Sequence, residues 1–250
     1  MPKTPAPKPK AAKPAVKVVA KPAARKAAAA AVEKEPRGVR RRRETRAKLL
    51  DAAFRLMAER GMDGVAINEI TEAADVGFGS FYNHFESKEA IYDALVHSVF
   101  EEFALRLDEL TQGIDDAAVT VSHSMRFAIL RARKEPIWGK FLVREGYSVR
   151  VLSRGLGQFL LRDIMKGIAA KRFKTPDLLM SFVAVGSLVL GSISAHAETS
   201  SLHGPLSEQL KKLGLQTADI PERAAALALV TLGIPEREAA SISRLPLPSL

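Results

Sequence analysis

Between Phe78 and Lys88 the chain sets out side chains suited to recognition rather than to bond-making. Ser80, Tyr82, Asn83 and His84 bring two hydroxyls, a carboxamide and an imidazole into one short run. Such groups donate and accept hydrogen bonds in the patterns displayed by base edges, Asn pairing best with adenine. Phe78 and Gly79 precede them, and Lys88 follows with a point charge suited to phosphate. Upstream, Arg41, Arg42, Arg43 and Arg46 form a guanidinium cluster. Reactive chemistry is poorly provided for. The chain has no cysteine, which excludes a thiol nucleophile, a thiolate metal site and a disulfide framework. His97, His123, His196 and His203 are scattered, and no pair has the i, i+4 spacing of a helical zinc site. Gly155-Leu156-Gly157 lacks the third glycine and the preceding strand of a phosphate loop, and no serine sits in a nucleophile elbow. The expectation is a chain with no catalytic residue, no metal and no cofactor.

The elements that must position these residues read as helices. Leu49, Leu50, Ala53, Phe54, Met57 and Ala58 recur at helical spacing over 44–59, and Gly61 stops that helix. A short helix is predicted over 67–74, a turn at Asp75-Val76-Gly77, and a second short helix over 79–85. Ser87 then caps a longer helix. Two short helices across a tight turn are the arrangement in which one lies in a major groove while the other braces it. Further helices are predicted over 117–133, 137–144, 151–172, 176–197, 221–232 and 235–243, several opening with a proline near the first turn.

The residues in these helices carry a resemblance. Arg46-Ala47-Lys48-Leu49-Leu50-Asp51-Ala52-Ala53, Ala58-Glu59-Arg60-Gly61, Glu69-Ile70-Thr71-Glu72-Ala73-Ala74-Asp75-Val76, Gly79-Ser80-Phe81-Tyr82-Asn83-His84-Phe85 and Ser87-Lys88-Glu89-Ala90 resemble the DNA-binding domain of the TetR family. The likeness covers about 44–95, with a weaker echo in the Ala/Leu-rich helix and Leu-Gly-Ile-Pro of 224–240. It implies that Phe78, Gly79, Ser80, Tyr82, Asn83 and His84 face DNA, that Lys88 contacts phosphate, and that Phe81 and Phe85 pack inward. Three positions depart from the family pattern: Gly77-Phe78 where Ser-Lys is frequent, Ala66 where a hydroxyl usually precedes the second helix, and Asn68 where a basic or polar residue is common.

Charge sharpens the point. Residues 1–43 hold 14 of the 38 basic and 2 of the 28 acidic residues, a net of +12, leaving −2 for all the rest. The segment 44–90 has five basic residues against nine acids, and 78–85 has no Lys or Arg. Affinity for a duplex comes largely from neutralised phosphates, so the basic cluster and arm are expected to supply it. Residues 1–36 are low in complexity, rich in Ala, Lys and Pro, and are expected to be disordered. They lack the apolar run of a secretory signal. The uncharged stretch 178–197 is long enough to span a bilayer, but a cytoplasmic helix buried on all sides has the same composition, and that reading is preferred.

The whole reads as an all-α protein with three parts. Residues 1–43 are a disordered, Lys/Ala/Pro-rich basic arm, 44–95 a helix-turn-helix domain, and 96–250 a helical effector-binding and dimerisation domain. The resemblance implies a cytoplasmic, nucleoid-associated homodimer on double-stranded DNA, a small-molecule effector, no membrane, and repression relieved by that effector. Phe127, Trp138, Phe141, Tyr147, Phe159 and Phe182 are the candidate effector wall, with Arg126, Arg144 and Gln158 as candidate polar groups. Ser187, Gly191 and Ala195, at four-residue steps, are the candidate dimer seam. The competing reading is a chromosome-associated protein that binds DNA without sequence preference through its arm.

Overall fold

The computed structural model describes residues 36–249 apart from 154, 201–203, 205–207, 210–211 and 214–218, and apart from the side chains of 150 and 200. The expected disorder of residues 1–35 lies outside the described residues, as does His203. The chain divides into two units, Met1–Arg40 and Arg41–Leu250. Among the described residues the only regular structure is helical, as expected.

Helix α1 (Arg37–Arg60) begins seven residues before the predicted start. The arginines of the basic cluster are good helix formers and carry the helix back across Val39 and Gly38, to where the Arg40 N–H donates to the Pro36 carbonyl at 3.1 Å. The part of the expected arm from 37 to 43 is therefore helix. Gly61, at φ +75°, closes α1 by donating from its N–H to the Met57 carbonyl at 2.8 Å. Helix α2 (Ile67–Ala73) follows Ala66, which has no side chain to cap it. The Glu69 carboxylate compensates, accepting from the Ala66 N–H at 2.8 Å and from Arg60 at 2.7 Å. Helix α3 (Phe78–Tyr82) ends earlier than predicted, because the N–H groups of both His84 and Phe85 turn back to the Phe81 carbonyl at 2.9 Å. Ser87 caps α4 (Lys88–Val96), its hydroxyl accepting from the Ala90 N–H at 3.2 Å.

Helix α4 runs on through a π-helical turn (His97–Glu101) into α5 (Glu102–Thr111). Within that turn the Val99 carbonyl accepts from the Trp138 indole at 3.1 Å. Helices α6 (Ala117–Lys134) and α7 (Pro136–Glu145) form a hairpin. The predicted helix over 151–172 is two pieces, α8 (Val149–Leu152) and α9 (Leu156–Ala169). They part at Gly155, whose φ is +56° and where an added Cβ would lie 3.2 Å from the backbone of Phe100 and Glu101, a tight fit for any side chain. Helix α9 also stops short of Arg172. That guanidinium bonds Asp116 at 2.9 Å and Glu238 at 2.7 Å instead of serving a helix end. The pairing raises the Arg172 pKa and lowers that of Asp116.

Helices α10 (Leu178–Ser200), α11 (Ile220–Thr231) and α12 (Glu236–Ile242) complete the body. One apolar cluster joins Leu49, Phe81 and Ile91 to Phe100, Trp138 and Phe141, and a second surrounds Ile164, Val185 and Leu229. Helix α10 departs from expectation. It is long and apolar enough to cross a membrane by length and composition, yet it packs against α6, α7, α9 and α11 on one side only. Leu179 and Met180 are 67% and 56% exposed, and Ser187, Gly191 and Ala195 lie on the bare side. Burial on all sides is thus corrected: the apolar residues of α10 exceed what its intrachain neighbours can cover.

Candidate nucleic-acid interface and effector cavity

Helix α3 turns one side into the core and leaves the other bare. Phe81 and Phe85 are buried, as their inward assignment required, whereas Phe78 and Tyr82 are 54% and 52% exposed. Gly79 and Asn83 are exposed, and Ser80 and His84 half-buried. The guanidinium of Arg42 reaches the Asn83 carbonyl at 3.4 Å, and that of Arg46 lies 5.0 Å over the Phe85 ring. Both arginines belong to α1, so the basic stretch of that helix flanks the bare face of α3. Arg41 and Arg43 are exposed on the same helix. Burial, then the charges of Arg42 and Arg46, lower the His84 pKa, so the imidazole is neutral at pH 7 and offers one donor and one acceptor. Lys88 is half-buried in the first turn of α4.

A cavity of about 100 Å³ lies in the body, bounded by α5, α6, α8, α9 and α10. Leu107, Met125, Phe159, Leu160, Phe182 and Val189 give it an apolar wall. Of the six aromatic candidates, Tyr147, Phe159 and Phe182 reach it. Phe127, Trp138 and Phe141 do not: they are core residues, at most 4% exposed. Phe141 stacks on Phe100 at 5.3 Å with Phe54 at its edge, and Trp138 packs against Phe103 while its N–H is taken by Val99. An aromatic side chain in an amphipathic helix has the same sequence signature in either place. The polar candidates also fall elsewhere. Arg126 bonds Glu222 and the Leu245 carbonyl, Arg144 bonds the Glu59 carbonyl, and Gln158 is exposed.

The polar end of the cavity is instead Asp108, Arg162 and Asp163. Arg162 donates to Asp108 at 2.6 Å and to Asp163 at 2.9 Å, and its guanidinium lies 4.5 Å over the Phe159 ring. Burial pushes the Asp163 carboxyl up despite that partner. Two carboxylates sharing one guanidinium keep acceptor lone pairs that it does not use, and both residues line the cavity. Nothing in the local sequence marks this group, since Asp108 meets Arg162 only when α5 packs on α9. The apolar stripe of α9 interrupted by an acid at Asp163 is the one signal that could have found it.

Residues 49–95 match the model of the bacterial regulatory proteins of the tetR family, and residues 115–244 match the tetracyclin repressor-like C-terminal domain. The chain belongs to the TetR family. TetR-family curated relatives include the HTH-type transcriptional repressor DhaR of Mycobacterium sp. (strain GP1), 37% identical over 78 residues, which are 31% of this chain and 38% of DhaR. KstR2 of Rhodococcus jostii, another HTH-type transcriptional repressor, is 34% identical over 84 residues, 31% of this chain and 41% of that protein. The chain thus matches about two-fifths of the length of these relatives. Among solved structures, RolR in complex with resorcinol is 32% identical, with a TM-score of 0.58 over 84% of this chain and 98% of RolR. FadR of Bacillus subtilis in complex with stearoyl-CoA shares the fold alone, at 14% identity and a TM-score of 0.58 over 74% of this chain and 98% of FadR. TetR-family regulators bind DNA, act as dimers and bind small molecules.

Proposed function

We propose that this chain is a homodimeric transcriptional repressor that leaves its operator when a small hydroxylated aromatic molecule fills the cavity. The observation carrying the first half is the bare face of α3, where Phe78, Gly79, Tyr82 and Asn83 stand exposed, with Arg42 of α1 at the Asn83 carbonyl. Ser80 and His84 complete the reading face. Arg41, Arg42, Arg43, Arg46 and the basic arm neutralise phosphates that the acidic helix-turn-helix cannot. A dimer sets two α3 helices one duplex turn apart, about 34 Å, so the operator is palindromic. The bare side of α10, with Leu227 of α11 at 54% exposed, supports that dimer.

The effector reading rests on the acceptor-rich end of an otherwise apolar cavity and on resorcinol, the ligand of RolR. Tyr147, Phe159 and Phe182 hold the ring, and Asp108 and Asp163 accept from its hydroxyls. The site of action is the cytoplasmic nucleoid, with no membrane involved.

Titration of a fluorescent duplex selected from a random library tests the reading. The chain keeps a preferred site in excess random DNA and releases it on addition of resorcinol or a related phenol, and sedimentation gives a dimer. Binding of all duplexes alike fits the chromosome-associated reading and refutes this one. Removing residues 1–36 flattens the salt dependence by about 0.9 log units for each phosphate that the arm would otherwise neutralise.

A further inference from the structure

We propose that Phe78, braced by Tyr82, is the specificity-determining residue of α3 and reads the 5-methyl group of a thymine in the major groove. The inference rests on α3 entering that groove. Its first residue is neither a cation nor a hydroxyl but a phenylalanine, 54% exposed. The ring is held in place. It meets Tyr82 edge-to-face at 5.7 Å and 70°, Tyr82 meets Phe81 in the same manner at 5.4 Å, and Phe81 is tilted on Phe85 at 5.8 Å. Phe81 and Phe85 are buried in the core. Four rings therefore run from the interior to the tip of the reading helix, and the outermost one rests edge-to-face on Tyr82.

The surroundings name the occupant. Gly77 and Gly79 flank Phe78, and a Cβ at either would meet nothing within 4 Å, so the backbone on both sides of the ring is open to close approach. Arg42 and Arg46 lie at the opposite end of α3, beside Asn83 and Phe85, where they suit phosphates. An apolar ring at the tip of a helix bordered by guanidinium groups matches the one apolar feature of a major-groove edge, the thymine methyl. Ring and methyl cover each other from water on binding. The discrimination is the burial of one methyl group, about fourfold in affinity for each half-site and about fifteenfold when both are stripped.

The test exchanges thymine for deoxyuridine, which removes the methyl and keeps every hydrogen-bonding group. An operator is first selected from a random duplex library with the full chain. Each thymine is then replaced in turn and affinity measured by fluorescence anisotropy. One symmetry-related position should show the fourfold loss. Phe78→Ala should abolish that loss, binding both duplexes equally, whereas Phe78→Leu keeps part of it. Because Phe78 is exposed, neither variant should change the unfolding temperature. A penalty that persists in Phe78→Ala, or no penalty at any thymine, overturns the proposal while leaving sequence-specific binding intact. Failure to select any preferred duplex overturns both.

Discussion

The guanidinium of Arg144, at the end of α7, donates to the carbonyl oxygen of Glu59, in the last turn of α1, at 2.6 Å. Its neighbour Glu145 accepts from the Tyr92 hydroxyl of α4 at 2.5 Å, and the next two residues, Gly146 and Tyr147, line the cavity. The four residues from Arg144 to Tyr147 thus touch the cavity wall on one side and helices α1 and α4 on the other. Phe141 reinforces the joint, its ring packed among Phe54, Tyr92 and Phe100.

Replacing Arg144 with Met removes the tie and keeps the stem. The bond lies near the surface, so the expected loss of stability is below about 1 kcal/mol. Coupling should suffer more. Effector affinity measured by calorimetry should stay within about twofold, while the effector concentration needed to release DNA rises about fivefold or more, the lower end of ordinary coupling energies. An unchanged release curve would mean that α7 does not carry the signal through this bond.

The polar end of the cavity makes a second, independent prediction. Asp163→Leu removes an acceptor and leaves Arg162 paired with Asp108 alone. With resorcinol as the probe, affinity should fall at least about tenfold, because a buried hydroxyl left without a partner costs that much or more. Operator affinity in the absence of ligand should stay within about twofold. Equal affinity in wild type and variant would place the ligand elsewhere.

The helix-turn-helix was legible because its signals are local: the stripe of Leu49 to Ala58, Ser87 as a cap, and the Phe81–Phe85 block all act within a few residues. The cavity was not. Whether Phe159 is wall or Phe141 core depends on which helix packs opposite, and helical periodicity is the same for both. Asp108, Arg162 and Asp163 converge from α5 and α9, 54 residues apart at the widest step. The break at Gly155 is also a tertiary effect, set by the backbone of the π-helical turn pressing on it. The early start of α1 was missed for another reason: a run of arginines reads as a charged arm or as helix with equal ease.

Gly155 offers a sharp test of that packing. Its φ of +56° is one that side-chain-bearing residues rarely adopt, and an added methyl would press on Phe100 and Glu101. Gly155→Ala should cost about 1–3 kcal/mol, read as a lowered midpoint in urea. Gly191→Ala, within a helix and at a position where a Cβ would meet nothing within 4 Å, should not destabilise the fold.

His123 gives the fold a pH dependence with a definite sign. It is 4% exposed in α6, neither ring nitrogen has a hydrogen-bond partner among the described residues, and burial, then the charge of Arg126, lower its pKa from the usual 6.5. Below pH 6.5 the unfolded chain takes up a proton there that the folded chain resists, so stability falls as the pH drops from 6.5 toward the folded value. As the pH rises above 6.5 the unfolded chain loses that proton too, and the contribution levels off. Replacing the imidazole with a leucine of similar volume removes the titration and the two unpaired ring nitrogens. His123→Leu should therefore match or exceed wild-type stability at pH 7 and lose less of it by pH 5, measured as the urea midpoint at each pH. A variant that follows the wild-type curve across that interval would show that His123 is not the group whose protonation opposes the fold.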